Sequence, residues 1–189
     1  MTGAVRRIRA GLHRFAGRAP INFNIGAKGC GKTVSALHPE KVMNEQKARK
    51  YLSIAHAIAD LSKDMSTKVG ALVLGKAHEV LSVGYNGAPR GCSADEDERG
   101  RLRPEKYFWF SHAELNAITN AARVGTPLGG GVLVVTHFPC MDCARAIVQA
   151  GIERVVVPRP TPDFLSRWEE HYSRSLKLFD ECGVEVTQL

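Results

Sequence analysis

Four side chains in this 189-residue sequence could do chemistry together: His112 and Glu114, two positions apart, and Cys140 and Cys143, which begin 28 residues after His112. One imidazole and two thiolates make a three-ligand set for zinc that leaves the fourth coordination position to water, which is the pattern of a catalytic site rather than a structural one. Zinc held in this way brings the pKa of a bound water down to about 7, so hydroxide is available at neutral pH without a strong protein base. A proton carrier is still needed. Glu114 lies close to His112 without being a ligand, and can take the water's proton and deliver it to a leaving group. A closed structural site would need a fourth protein ligand, and the sequence holds no second Cys-x-x-Cys and no His pair at zinc-finger spacing. The set reads as a hydrolytic zinc centre.

These residues need elements that aim them at one point. Pro139 suits the start of a helix, and residues 141–151 read as a helix ended by Gly151, which puts Cys140 and Cys143 on one face. The partial positive charge at a helix N-terminus favours thiolate, the ligating form. His112 opens a second helix, expected over 113–123, so two helix starts converge on one metal. Around them, 46–63 reads as a helix with Tyr51, Ile54, Ala55, Ile58 and Leu61 on one face. The runs 68–74 and 79–84 form an antiparallel hairpin. Residues 86–106 are a long irregular stretch with four consecutive acids, Asp95 to Glu98. Strands follow at 131–136 and 154–157, then a helix at 163–182 and a short strand at 183–187. Alternation of this kind implies parallel pairing with helical crossovers. The expected fold class is α/β, a three-layer α-β-α sandwich around a mixed sheet of about five strands.

Charge divides the chain in two. The net charge of +7 is carried by residues 1–42, which hold eight Lys or Arg against the single acid Glu40, while 43–189 hold eighteen of each sign. The segment with the zinc motif is neutral, which weakens a nucleic-acid footprint, and a nucleic-acid partner is not expected for it. No apolar run approaches the roughly 18 residues needed to span a bilayer. Two of the five cysteines are claimed by the metal; Cys30, Cys92 and Cys182 have no spacing that suggests another site and read as packing or surface residues. An odd remainder without a secretory signal suggests a reducing compartment, the cytoplasm.

Residues 1–42 are read as a basic N-terminal extension and 43–189 as the zinc domain. Val5, Ile8, Leu12 and Phe15 at helical spacing among four arginines suggest a short amphipathic helix. An organellar transit peptide, a solvated basic tail, and an upstream extension outside the functional protein are the three readings; the composition shift at Met43 favours the last. The extension also contains Gly26-Ala-Lys-Gly-Cys-Gly-Lys-Thr33, a full phosphate-loop pattern. A phosphate loop needs a surrounding parallel sheet and an acidic strand end for magnesium, and the rest of the chain is committed to the zinc domain.

The order His-x-Glu then Pro-Cys-x-x-Cys resembles the zinc-deaminase signature. With Asp64-Met-Ser-Thr-Lys-Val-Gly-Ala71, Gly84-Tyr-Asn-Gly-Ala-Pro-Arg-Gly-Cys92, His112-Ala-Glu-Leu-Asn-Ala117 and Phe138-Pro-Cys-Met-Asp-Cys143, residues 46–189 are similar to the cytidine and deoxycytidylate deaminase family. The resemblance implies hydrolysis of dCMP to dUMP and ammonia, feeding thymidylate synthesis. In it His112, Cys140 and Cys143 hold zinc, and Glu114 shuttles protons as hydroxide attacks carbon 4 of the ring. Asn86 matches a sugar-contacting asparagine, with turn-forming before Gly87 as its alternative, and Ala113 is a second substrate contact. Tyr85, Gly87, Arg90 and Lys106 are candidates for an allosteric nucleotide site or for the substrate phosphate. Regulated members respond to dCTP, carried with Mg2+, and to dTTP, and are homo-oligomers from dimer to hexamer. Other substrates with the same zinc motif are cytidine, cytosine and tRNA adenosine; a nucleic-acid-binding protein with a deaminase-like fold is the alternative outside enzymes. One departure stands out: the family's Asp-Pro is Asp64-Met65 here, which bears on the geometry of that loop.

Overall fold

The computed structural model describes residues 43–189. The expected amphipathic helix, the Gly26–Thr33 segment and Cys30 lie outside the described residues. In chain order the elements are α1 (Glu45–Ala59), β1 (Gly70–Leu74), β2 (Val80–Tyr85), α2 (Glu98–Arg101), α3 (Lys106–Trp109), α4 (Ala113–Val124), β3 (Val132–Val135), α5 (Met141–Gln149), β4 (Arg154–Val157), α6 (Pro162–Glu181) and β5 (Glu185–Gln188).

The strands form one five-stranded sheet in the order β2-β1-β3-β4-β5. β1 runs antiparallel to both β2 and β3, whereas β3, β4 and β5 are mutually parallel. The sheet is therefore mixed, as expected. Its three central strands are buried without alternation, apart from the half-buried Arg154 at the start of β4, because both faces are covered. On one face Leu72, Leu74, Val132, Val134 and Val156 pack with Ala48 and Ala55 of α1. On the other, Ala71, Val73, Leu133, Val135, Val155 and Val157 pack with Ala113, Ala117 and Ala121 of α4, Ala144 and Ile147 of α5 and Phe179 of α6. The result is the α-β-α sandwich.

Two motif glycines set how closely these layers approach. A Cβ on Gly70 would lie 2.0 Å from the Ala55 carbonyl oxygen, and one on Gly84 would lie 2.3 Å from the backbone of Ala113 and Ala117. Glycine at these positions lets α1 settle on β1 and lets the first turn of α4 settle on β2.

The stretch expected to be irregular is not wholly so: α2, four residues long, interrupts it, and α3, also four residues, begins at its last residue. The first helix ends at Ala59 rather than Lys63, with Asp60 as its C-cap. Cys92 is half-buried and Cys182 exposed. No helix among the described residues is long and apolar enough to cross a membrane.

Candidate active site

His112 and Cys140 are the N-cap residues of α4 and α5, and neither side chain makes a capping hydrogen bond. Positions where Ser, Thr, Asp or Asn would stabilise the helix are given to side chains that turn elsewhere. They turn toward each other: His112 Nδ1 lies 3.3 Å from Cys140 Sγ and 3.5 Å from Cys143 Sγ, and the three ligand atoms lie within 4.8 Å of one another. Zn–S bonds of about 2.3 Å and Zn–N bonds of about 2.05 Å at tetrahedral angles demand an N···S edge of about 3.6 Å. The donor set fits zinc in type, number and spacing.

The three side chains share protons. The Cys143 thiol donates to Cys140, and with the His112 imidazolium this holds the Cys140 thiol well below its ordinary value. Accepting that role and being buried push Cys143 up. The hydrogen bond with Cys140 raises His112 to about 9. A divalent cation at the centre would displace the proton of Cys143 and that of His112, since only thiolate and neutral imidazole ligate.

Glu114 occupies the first turn of α4 and is 4 % exposed. Burial, the largest influence, raises its carboxyl above the ordinary range, with the nearby His112 charge opposing. Glu114, His112 and Cys140 line one cavity of about 280 Å3 together with Asn86, Ala113 and Lys106. Arg103 from the loop before α3, Arg159 from the β4–α6 connection and Arg167 from α6 lie on the same cavity and are exposed. Arg167 pairs with Asp163. Neither Arg103 nor Arg159 has a carboxylate partner among the described residues.

Two expected contacts are committed to the protein itself. Lys106, 5 % exposed, holds both oxygens of Asp64 at 3.0 and 2.7 Å and also meets the Ser66 hydroxyl. Asn86 gives its amide hydrogens to Asp64 Oδ2 and the Thr67 carbonyl, and its Oδ1 accepts from the Val69 amide at 2.8 Å. One lone pair of Oδ1 is all it has left. Asp64 also accepts from the amides of Ser66 and Thr67. The turn is thus held by the Asp64 carboxylate, and Met65, in place of the family's proline, faces solvent at 82 % exposure. Tyr85, Gly87 and Arg90 do not line the cavity. Arg90 bonds Asn120 of α4, Tyr85 is 41 % exposed, and Gly87 bridges Ser111.

Sequence reasoning missed Arg103, Arg159 and Arg167, and with them His137, Trp168 and His171, which also line the cavity. His137 carried a signal, since it lies three residues before Cys140. Trp168 and His171 lie at helical spacing in the last long helix, whose direction over the site no local pattern announces.

A mixed sheet flanked by helices, with an open three-ligand zinc set and a buried carboxylate at two helix starts, defines a zinc-dependent hydrolase of the deaminase fold. Residues 45–158 match the model of the cytidine and deoxycytidylate deaminase zinc-binding region, and the chain belongs to that family. It is 46 % identical over 144 residues to an uncharacterized deaminase of Aliivibrio fischeri, covering 75 % of this chain and 92 % of that one. It is 38 % identical over 110 residues to human deoxycytidylate deaminase, covering 56 % of this chain and 61 % of the human one. Among solved structures it resembles the dCMP deaminase of cyanophage S-TIM5 in complex with dCMP and dUMP. There the TM-score is 0.63 and the identity 28 %, over 78 % of this chain and 99 % of the phage protein.

Proposed function

We propose that this chain deaminates dCMP, consuming water and releasing dUMP and ammonia. The observation that carries the reading is a single cavity that joins the buried Glu114 and the ligands His112 and Cys140 to the exposed Arg103 and Arg159, which have no carboxylate partner among the described residues. Zinc, when bound to those three ligands, supplies Lewis-acid activation of water. Glu114 carries one proton of the attacking water to ring N3 as the C4–O bond forms, and the remaining hydroxyl proton to the departing nitrogen as the C4–N bond breaks and ammonia leaves. Ala113, buried with its amide in the open first turn of α4, and the free lone pair of Asn86 Oδ1 are the polar contacts offered to base and sugar.

The phosphate falls to Arg103 and Arg159. Lys106 is spent on Asp64, and Arg90 is not on the cavity. A guanidinium suits a phosphate dianion through paired hydrogen bonds. The named substrates of the human and cyanophage relatives support the same reading. Tyr85, Gly87 and Arg90 lie off the cavity, and Arg90 and Tyr85 are tied to α4 through Asn120 and Asn116, which suits a regulatory dCTP–Mg2+ site or a subunit contact in a homo-oligomer.

Ammonia release measured on dCMP, CMP, deoxycytidine, cytosine and a tRNA anticodon stem, with and without dCTP, tests the substrate. The highest kcat/KM is expected on dCMP. Arg103→Ala with Arg159→Ala should raise KM for dCMP about tenfold or more and leave turnover of deoxycytidine unchanged, the mark of lost phosphate binding. Preference for any other substrate overturns the assignment.

A further inference from the structure

We infer that His171 is a positioning residue for the metal ligand Cys140, acting through the peptide bond between Cys140 and Met141. The Met141 amide donates to His171 Nδ1 at 3.2 Å, across 30 residues of sequence. The carbonyl of the same peptide, that of Cys140, accepts from the Ala144 amide at 2.8 Å. Because a peptide is a rigid plane, holding its N–H and its C=O fixes the ψ angle of Cys140, observed at 171°. That angle belongs to the Cα that aims the thiolate at His112.

The need for an outside partner follows from the sequence of the helix start. The first amides of α5 have no acceptor within the helix, and the N-cap side chain that would ordinarily satisfy one of them is committed to the metal set. His171 fills that gap from α6. One turn further along the same helix the Ser175 hydroxyl, fully buried, meets the Met141 sulfur at 3.8 Å, so α6 grips Met141 at two points. The imidazole is itself braced: Trp168 packs edge-on against it at 5.4 Å, and Tyr107 packs edge-on against Trp168 at 6.3 Å. Accepting from Met141 requires a lone pair on Nδ1, which places the ring proton on Nε2. Groups of this kind, one step removed from a metal, commonly change its affinity by about 10–100-fold when removed.

The inference depends on the zinc site proposed above, and the two fail differently. His171→Leu removes the acceptor and keeps a good helix former. His171→Asn places an amide oxygen close to where Nδ1 was but is the poorer helix former. Zinc affinity by chelator competition, thermal midpoint of the metal-free protein, and kcat and KM for dCMP are measured for the parent and both variants. Positioning predicts that His171→Leu loses about tenfold or more in zinc affinity and in kcat with little change in KM. It also predicts that His171→Asn stays within about threefold of the parent, although its thermal midpoint is the lower of the two. A merely structural residue gives the opposite order, with leucine tolerated and asparagine worse. Parent-like zinc affinity in His171→Leu overturns the His171 assignment alone. A parent that binds no zinc overturns the site.

Discussion

Glu114 is the residue on which the proposed chemistry turns, and its neighbours make it testable without disturbing the metal. It is buried beside Cys143 and His112 but is not needed to complete the ligand set. Glu114→Gln keeps the shape and the hydrogen-bonding capacity of the side chain while removing the ability to carry a proton. Zinc content by metal analysis should match the parent, and ammonia release from dCMP should fall by about 10²–10⁴-fold, the usual contribution of a positioned proton carrier. Turnover near the parent's would mean that another group moves the proton. His112, Cys140 and Cys143 could be singled out as candidates in the sequence because zinc dictates both type and number of ligands, and Glu114 because the chemistry needs a proton carrier beside them. What the sequence did not announce is that Lys106 and Asn86 share Asp64 as a partner, because it lies 42 and 22 positions away from them.

That partnership governs how the α2–α3 arm meets the sheet. Lys106 at the start of α3 reaches Asp64 in the loop before β1, both nearly out of contact with water. Burial by itself would raise the Asp64 carboxyl, but hydrogen bonds from Lys106, from the Ser66 and Thr67 amides and from the Ser66 hydroxyl outweigh it and leave it below its ordinary value. A carboxylate so depressed contributes stability that is present above its unfolded pKa of about 3.9 and is lost as pH falls through the folded value. Asp64→Asn strands a buried ammonium and should cost about 3–5 kcal/mol, whereas Asp64→Asn with Lys106→Met removes both charges and should recover most of that loss. Urea unfolding at about pH 7 and through an acid series checks both points. The double variant should lose less stability than the parent as the solution is acidified, and an identical acid slope would remove the pair as its source. At this scale the sequence was legible wherever an element is long enough to show a period. The helices α4, α5 and α6 and every strand fall within two residues of their expected bounds. Four residues hold barely one helical turn, so α2 and α3 carry no period to read.

For the whole molecule, the charge division and the internal completeness of residues 43–189 lead to one expectation. Both faces of the sheet are covered by helices from within that span, and every buried side-chain nitrogen and oxygen in it has a hydrogen-bond partner there. The metal set and the cavity arginines also lie within it. A domain that satisfies its own core and polar groups has nothing left to gain from a basic extension except surface contact, and residues 43–189, with eighteen charges of each sign, carry no net charge to attract the eight cations of residues 1–42. Residues 43–189 produced alone should therefore bind zinc and release ammonia from dCMP at the full chain's rate. The thermal midpoint should move by less than about 4 °C, the shift that about 1 kcal/mol produces at this size. A larger fall, or loss of zinc, would place the extension against the domain and make it part of the working protein. An unchanged midpoint with a changed response to dCTP would assign it to regulation instead.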